Sequence, residues 1–239
     1  MKLIGLISPN LSEDTLVDVY KILPEGIRIE GRALHVGTYT DREFHKVEQS
    51  FADVVRDLAR HPLDFLMVTG ELFLSYKGPG SDRKVLELVK GITPVPASTV
   101  LTAVVNGCRA LGLLRVVMAT PFPESQDARL MRFLAHEGIE VVAHRCLGYE
   151  NSAAIWTLPP ETAYELASPL LREHPEVNGL YMPCNKWRTL SVIDRIEREF
   201  GKPVVTNTQA WVWEALRGMG MAKPILGYGR LLSSLKGMD

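Results

Sequence analysis

Cys184 stands in the stretch LYMPCNKWRT, Leu180 to Thr189, where an apolar run stops and a polar segment begins. A thiol at such a corner can carry a proton or attack carbon, and its ordinary pKa of about 8.5 suits proton transfer around neutral pH. A helix expected to start near Lys186 would lower that value further. The alternative is a small buried residue that happens to end a strand. The other two cysteines invite less chemistry. Cys108, in VVNGCRALG, lies mid-helix among apolar residues and reads as core, and Cys146 ends IEVVAHRC and reads as structural or as a partly exposed thiol. Glu71, in TGELFLSYKG, is a carboxyl with three readings. Burial would raise its pKa and make it an acid or base. It could instead pair with Lys77, Lys186 or Arg188, or be a solvated loop carboxylate. Lys186 and Arg188 are also candidates for holding an anion or for plain solvent exposure. The six histidines, 35, 45, 61, 136, 144 and 174, show no ligand spacing, so no metal is expected. The GYGR stretch at Gly227–Arg230 lacks the context of a phosphate-binding loop.

Strand-like runs at Leu3–Ser8, Ile27–Val36, Asp64–Thr69, Arg115–Thr120, Ile139–His144, Asn178–Met182 and Pro203–Thr206 must position these groups. Helical patterns fill the gaps: Glu13–Leu23, Arg42–Arg60, Arg83–Lys90, Thr99–Leu111, Gln126–His136, Glu161–Glu173, Arg188–Phe200 and Gln209–Arg217. In FHKVEQSFADVVRDLA the residues Phe44, Val47, Phe51, Val54, Val55 and Leu58 recur at helical spacing. Trp211 and Trp213 straddle two faces of the last helix, so at least one belongs in the core. Strand–helix alternation of this kind implies an α/β fold with parallel sheet.

The two halves of the chain repeat each other. LIGLISPNLSEDTLVDVYKIL parallels RVVMATPFPESQDARLMRFLA, setting Pro9 against Pro121 and Asn10 against Phe122. DFLMVTGEL parallels NGLYMPCNK, setting Gly70 against Cys184, and a third collinear match sets Pro94 against Pro203. The expectation is two pseudo-symmetric α/β halves, residues 1–112 and 113–220, each a mostly parallel sheet flanked by helices. The segment 221–239 is free to pack back on the first half. Ligands of open parallel sheets collect beyond the carboxyl ends of strands, so the site is expected in a cleft between the halves. The segments concerned are Ser8–Asn10, Thr69–Leu72, Pro96–Thr99, Thr120–Phe122, Pro183–Asn185 and Thr206–Thr208. Several are rich in Ser, Thr and Asn. Those residues could cap helices, or their hydroxyls, amides and neighbouring backbone N–H groups could hold a small carboxylate.

Composition narrows the classes. The chain has 239 residues, 46% hydrophobic and 23% charged, enough for a core without staples. A formal net charge of −1 gives no field to attract nucleic acid or an anionic membrane. No apolar run reaches membrane-spanning length, and MKLIGLISPN is too short for a signal-peptide core. Three cysteines cannot all pair, so the expected compartment is the reducing cytoplasm.

LYMPCNKWRTLSVIDRIEREFGKPVVTNTQAWVWEALRGMG, together with STVLTAVVNGCRALGLLRVVMATPF, resembles the aspartate/glutamate racemase superfamily. Within it, the similarity is to the branch of arylmalonate decarboxylases and maleate cis-trans isomerases. It covers nearly the whole chain, and the PCN-x-x-RT stretch followed by GKPVV-x-x-x-QA is its most specific part. The resemblance implies two pseudo-symmetric halves, no cofactor, a small carboxylate substrate, and one or two cysteines on opposite walls of the cleft. A homo-oligomer is left open.

Carried onto this chain, the second-half cysteine is Cys184 and the first-half position is Gly70. One cysteine facing a glycine is the decarboxylase pattern. It disfavours a two-cysteine racemase and a cysteine-adduct isomerase. The decarboxylases follow that glycine with Thr-Ser, whereas this chain has Glu71 and Leu72, with Thr69 and Ser75 nearby. The family's tyrosine is replaced by Phe122, removing a phenol donor. Asn10 and Asn151 match amide positions of the maleate isomerases. The resemblance therefore implies Cys184 and Glu71 as catalytic candidates and Pro9, Asn10, Thr69, Gly70, Phe122, Asn151 and Asn185 as substrate-binding candidates.

Three readings follow. The first is a cofactor-independent enzyme acting at the carbon next to a carboxylate, decarboxylase-like, with an enediolate protonated by Cys184. The second is a maleate isomerase- or racemase-like enzyme in which Glu71 replaces the first cysteine. The third is a carboxylate-binding protein that kept the fold and lost the chemistry.

Overall fold

A computed structural model of the chain describes residues 1–221 and 223–236; residues 222 and 237–239 of the C-terminal segment lie outside the described residues. The first half runs β1 (Lys2–Ser8), α1 (Glu13–Ile22), β2 (Ile27–Ala33), α2 (Asp41–Leu58), β3 (Phe65–Val68), α3 (Glu71–Ser75), α4 (Ser81–Ile92), β4 (Ala97–Thr99) and α5 (Val100–Ala110). The second runs β5 (Arg115–Thr120), α6 (Glu124–His136), β6 (Glu140–Cys146), α7 (Ser152–Trp156), α8 (Glu161–Glu173), β7 (Gly179–Met182), α9 (Leu190–Phe200), β8 (Val204–Thr206), α10 (Asn207–Gly218) and α11 (Arg230–Ser233).

The sheets have orders β2-β1-β3-β4 and β6-β5-β7-β8, and every pairing is parallel. The duplicated α/β architecture expected from the repeats is what the chain adopts. Each sheet reverses its direction of growth beside its first strand, between β1 and β3 and between β5 and β7. At such a switch point the two neighbouring connections leave on opposite sides and open a crevice. Pro9 and Gly70 follow the strands at the first switch point, and Pro121 and Cys184 follow those at the second.

The halves join through a shared core. Helix α10 packs along α5 and reaches β3 and β4 of the first sheet. Gly218 marks the contact, since a Cβ there would sit 2.3 Å from the Phe65 ring. Trp211 and Trp213 are both buried in this layer. In the C-terminal segment, the Gly229 N–H donates to Asp194 of α9, the Arg230 N–H donates to Glu197, and Leu231 packs at Gly107 of α5.

The elements differ from the sequence reading in several places, and the short helices α7 and α11 were not anticipated. Residues 34–36 leave the sheet after Ala33. Ala97–Thr99 is a strand of only three residues, too short to show a period of two. Glu71 opens a one-turn helix rather than a loop, and α9 begins at Leu190 rather than near Lys186.

Candidate active site

One pocket gathers both switch points. The first half supplies Ser8, Pro9, Asn10, Gly70, Glu71 and Leu72, with Val36 and Tyr39 from the loop after β2 and Phe44 from α2. The second half supplies Phe122, Ser152, Cys184, Asn185 and Lys186. Its cavity volume of about 50 Å³ has room for a few water-sized groups, which suits a small acid.

The backbone repeats at the two facing positions. Gly70 has φ +102° and Cys184 has φ +84°, so both sit in the left-handed region. For a non-glycine residue that conformation costs of order 1–3 kcal/mol and persists where the surroundings enforce it. A Cβ on Gly70 would lie 2.2 Å from Pro9 Cγ. The first corner therefore has no space for a side chain, while the second holds a thiol. This is the physical basis of the one-sided cysteine. Gly70→Ala is expected to destabilise the fold by about 2–3 kcal/mol in urea titration, because it adds a clash to a left-handed strain. Unchanged stability would show that Pro9 yields easily.

Cys184 is 5% exposed. Burial pushes its thiol well above the ordinary value, and the nearby charge of Glu71 pushes the same way. The N–H groups of Lys186 and Trp187 only partly offset this. The expected lowering of the thiol pKa is thus overturned, because desolvation outweighs the local dipoles and the helix starts six residues later. A thiol of this kind stays protonated at neutral pH and is equipped to give a proton.

Glu71 is 4% exposed and lines the pocket, so it is not a solvated loop carboxylate. Burial raises its pKa to about 7, against the opposing effect of its own N–H, the Cys184 N–H and the Asn207 side chain. Lys77, one of its expected partners, pairs with Glu48 instead. Another, Arg188, lies 5.4 Å over the Trp156 ring, with its Nε buried and without a hydrogen-bond partner. Lys186 donates to Ser12 Oγ at 3.1 Å and lies on the pocket lining.

The remaining candidates divide. Pro9, Asn10, Phe122 and Asn185 lie on the pocket lining. The Asn10 amide donates to the Val36 carbonyl at 2.7 Å and to Ser152 Oγ at 3.2 Å, and Asn185 Oδ1 is buried with no partner. Thr69 lies behind the pocket, its hydroxyl donating to the Ile7 carbonyl, and Ser75 donates to the Glu71 carbonyl. Asn151 is exposed and caps α7 by accepting the Ala154 N–H; its neighbour Ser152 enters the pocket in its place. The segments Pro96–Thr99 and Thr206–Thr208 stay out of the lining, because β4 and β8 lie at sheet edges away from the switch points. Thr99 and Thr206 cap α5 and α10.

Tyr39 was not foreseen. Its ring meets Phe122 edge-on at 5.6 Å, and its phenol shares the pocket with Ser152, Cys184 and Glu71. Burial, reinforced by the acidic groups of Cys184 and Glu71 close by, raises its pKa and keeps it a donor. A phenol thus reaches the pocket from the first half. Its sequence signal was slight: an aromatic residue just before the Thr40 cap of α2. Cys108 is buried core, its thiol pushed up to about 12 by burial, and Cys146 is pushed up to about 11 by burial beside Asp127 and Glu124. No group of side chains among the described residues could hold a metal ion, and no described helix is long and apolar enough to cross a membrane.

The family model described as arylmalonate decarboxylase matches residues 4–232. The arylmalonate decarboxylase of Bordetella bronchiseptica is 30% identical over 229 residues, covering 95% of each chain. A maleate isomerase of Nocardia farcinica is 29% identical over 161 residues, covering 65% of this chain and 63% of its own. Among solved structures, a liganded arylmalonate decarboxylase carrying a Gly-to-Cys and a Cys-to-Ser exchange superposes with a TM-score of 0.89 at 28% identity, covering 97% of this chain and 98% of its own.

Proposed function

For a chain that belongs to the arylmalonate decarboxylase family, we propose a cofactor-independent enzyme that forms an enediolate from a small α-substituted diacid and protonates it with Cys184. The observation that carries this reading is the one-sided thiol: a buried, protonated Cys184 opposite a Gly70 that has no space for a side chain. The solved relative's two exchanged residues are a glycine and a cysteine, the same number of positions apart as Gly70 and Cys184.

The substrate binds with one carboxylate against donors that suit an enediolate, the Tyr39 phenol and the Ser152 hydroxyl, while the Glu71 and Cys184 N–H groups serve the Glu71 carboxyl. Lys186 supplies positive charge near the mouth. The second carboxylate faces the apolar wall of Leu72, Phe73 and Phe44, where a charge is poorly solvated and release of neutral CO₂ is favoured. The carbon–carbon bond breaks, its electron pair enters the enediolate, and the Cys184 S–H delivers a proton to the carbon. The product is a monoacid, and the resulting thiolate regains its proton from solvent.

A second reading makes Glu71 the other acid/base, giving an isomerase or racemase. Its support is that Glu71 lines the same pocket and its charge is felt by Cys184. A substrate panel separates the two. CO₂ release from α-substituted malonates supports the first reading. Cis-trans isomerisation of maleate, or exchange of an α-hydrogen that is lost in Glu71→Gln, supports the second. Ligand-induced thermal shifts with no turnover of any diacid would overturn both.

A further inference from the structure

Behind the pocket, a buried polar chain ends on Glu71. Tyr181, on β7, is 1% exposed, and its hydroxyl donates to Asn207 Oδ1 at 2.8 Å. Asn207, the first residue of α10, is fully buried. The Tyr181 bond occupies the amide oxygen and so turns Nδ2 the other way. Nδ2 has no hydrogen-bond partner of its own and faces the Glu71 carboxyl. A buried amide donor left unpaired costs free energy, and a functional role is one of the reasons a native fold keeps such a group. Here the neighbour able to change state is Glu71. Ionisation makes Glu71 a charged and therefore stronger acceptor for that N–H, whereas the protonated carboxyl accepts it only weakly through its carbonyl oxygen.

We infer that Asn207, locked by Tyr181, is a positioning residue that holds the Glu71 carboxyl against the Cys184 corner and stabilises its ionised form. The inference rests on Glu71 acting in the site proposed above, but it concerns residues outside the pocket lining. The other titratable groups around Glu71 are the Cys184 thiol, the phenols of Tyr39 and Tyr181, and Lys186 on the same pocket lining. Burial holds the two phenols and the thiol neutral, so the proton on Glu71 is the one that moves near neutral pH.

The test reads the proton directly. In protein labelled with ¹³C at glutamate carboxyls, the Glu71 signal is identified by its absence from the Glu71→Gln spectrum and titrated by NMR. Asn207→Leu keeps the volume and removes the donor, and the Glu71 midpoint is expected to move up by about 1 pH unit. Tyr181→Phe keeps the shape and unlocks the amide, and a smaller upward shift is expected. Should Asn207→Leu fail to fold, Tyr181→Phe decides alone. A midpoint unchanged within 0.2 of a pH unit (roughly a 1.6-fold change in the ionisation constant) in every folded variant would overturn the inference. This readout is independent of turnover. Loss of activity in the wild type would sink the proposed function and leave the titration to judge Asn207.

Discussion

Cys184→Ala is expected to fold and to lose about 10³-fold in turnover on any diacid that the wild type accepts, the size typical of removing a positioned proton donor. The loss belongs in kcat, with KM little changed, because the thiol acts on the developing carbanion and not on the bound ground state. Cys184→Ser is expected to be nearly as poor. A serine hydroxyl is a much weaker acid than a thiol, and the corner that strains residue 184 to φ +84° would place it no better. Removing the sulfur should not harm the fold. Only a small side chain is lost from a corner whose conformation is enforced by its neighbours, and thermal unfolding of the variant checks this. Equal activity in wild type and Cys184→Ala would dismiss the thiol from the chemistry.

Glu71→Gln has the largest expected effect on stability, and its sign depends on pH. The folded-state pKa of about 7 lies above the ordinary glutamate value of 4.5. Below pH 4.5 both folded and unfolded states hold the proton, and the residue costs nothing. As pH rises through the window from 4.5 to 7, the unfolded chain releases its proton first and the fold loses stability. Above pH 7 the penalty is complete, with an upper bound of roughly 3 kcal/mol from the linkage relation. Glutamine removes the charge and nearly keeps the shape. The variant is therefore expected to gain little at pH 4 and most at pH 8, measured by urea denaturation at both. Asp127, also raised to about 7 by burial and bonded to Thr120, leaves the variant with a similar but smaller decline. A Glu71→Gln protein less stable than wild type at pH 8 would show that the carboxylate is better paired than its surroundings indicate. Stability gained at a functional position is the usual mark of a group kept for chemistry.

The internal repeat made the outline of the site legible. Pro9 could be set against Pro121, Asn10 against Phe122 and Gly70 against Cys184 because the two halves share their strand–turn–helix register, and strand ends are where parallel sheets bind. Other parts depended on three-dimensional neighbours. The thiol pKa of Cys184 was misjudged because the expected lowering rested on a helix starting near Lys186, whereas the helix starts at Leu190 and burial of the thiol raises the value. Tyr39 went unread because a loop residue's reach across a cleft leaves no periodic trace. Asn151 and Ser152 are adjacent, and only the capping geometry of α7 decides that the serine faces inward. Edge strand β4, three residues long, is too short to carry a pattern. The Thr99 and Thr206 hydroxyls, left open in the sequence between helix caps and a ligand, belong to helix caps.

The central claim is that one thiol delivers the proton from one wall of the pocket. It is tested most directly by running the wild-type reaction in D₂O on an α,α-disubstituted malonate and determining the configuration of the deuterated monoacid. One deuterium per product, in a single configuration, is the predicted result. A racemic product would contradict it, because that requires proton delivery from both faces.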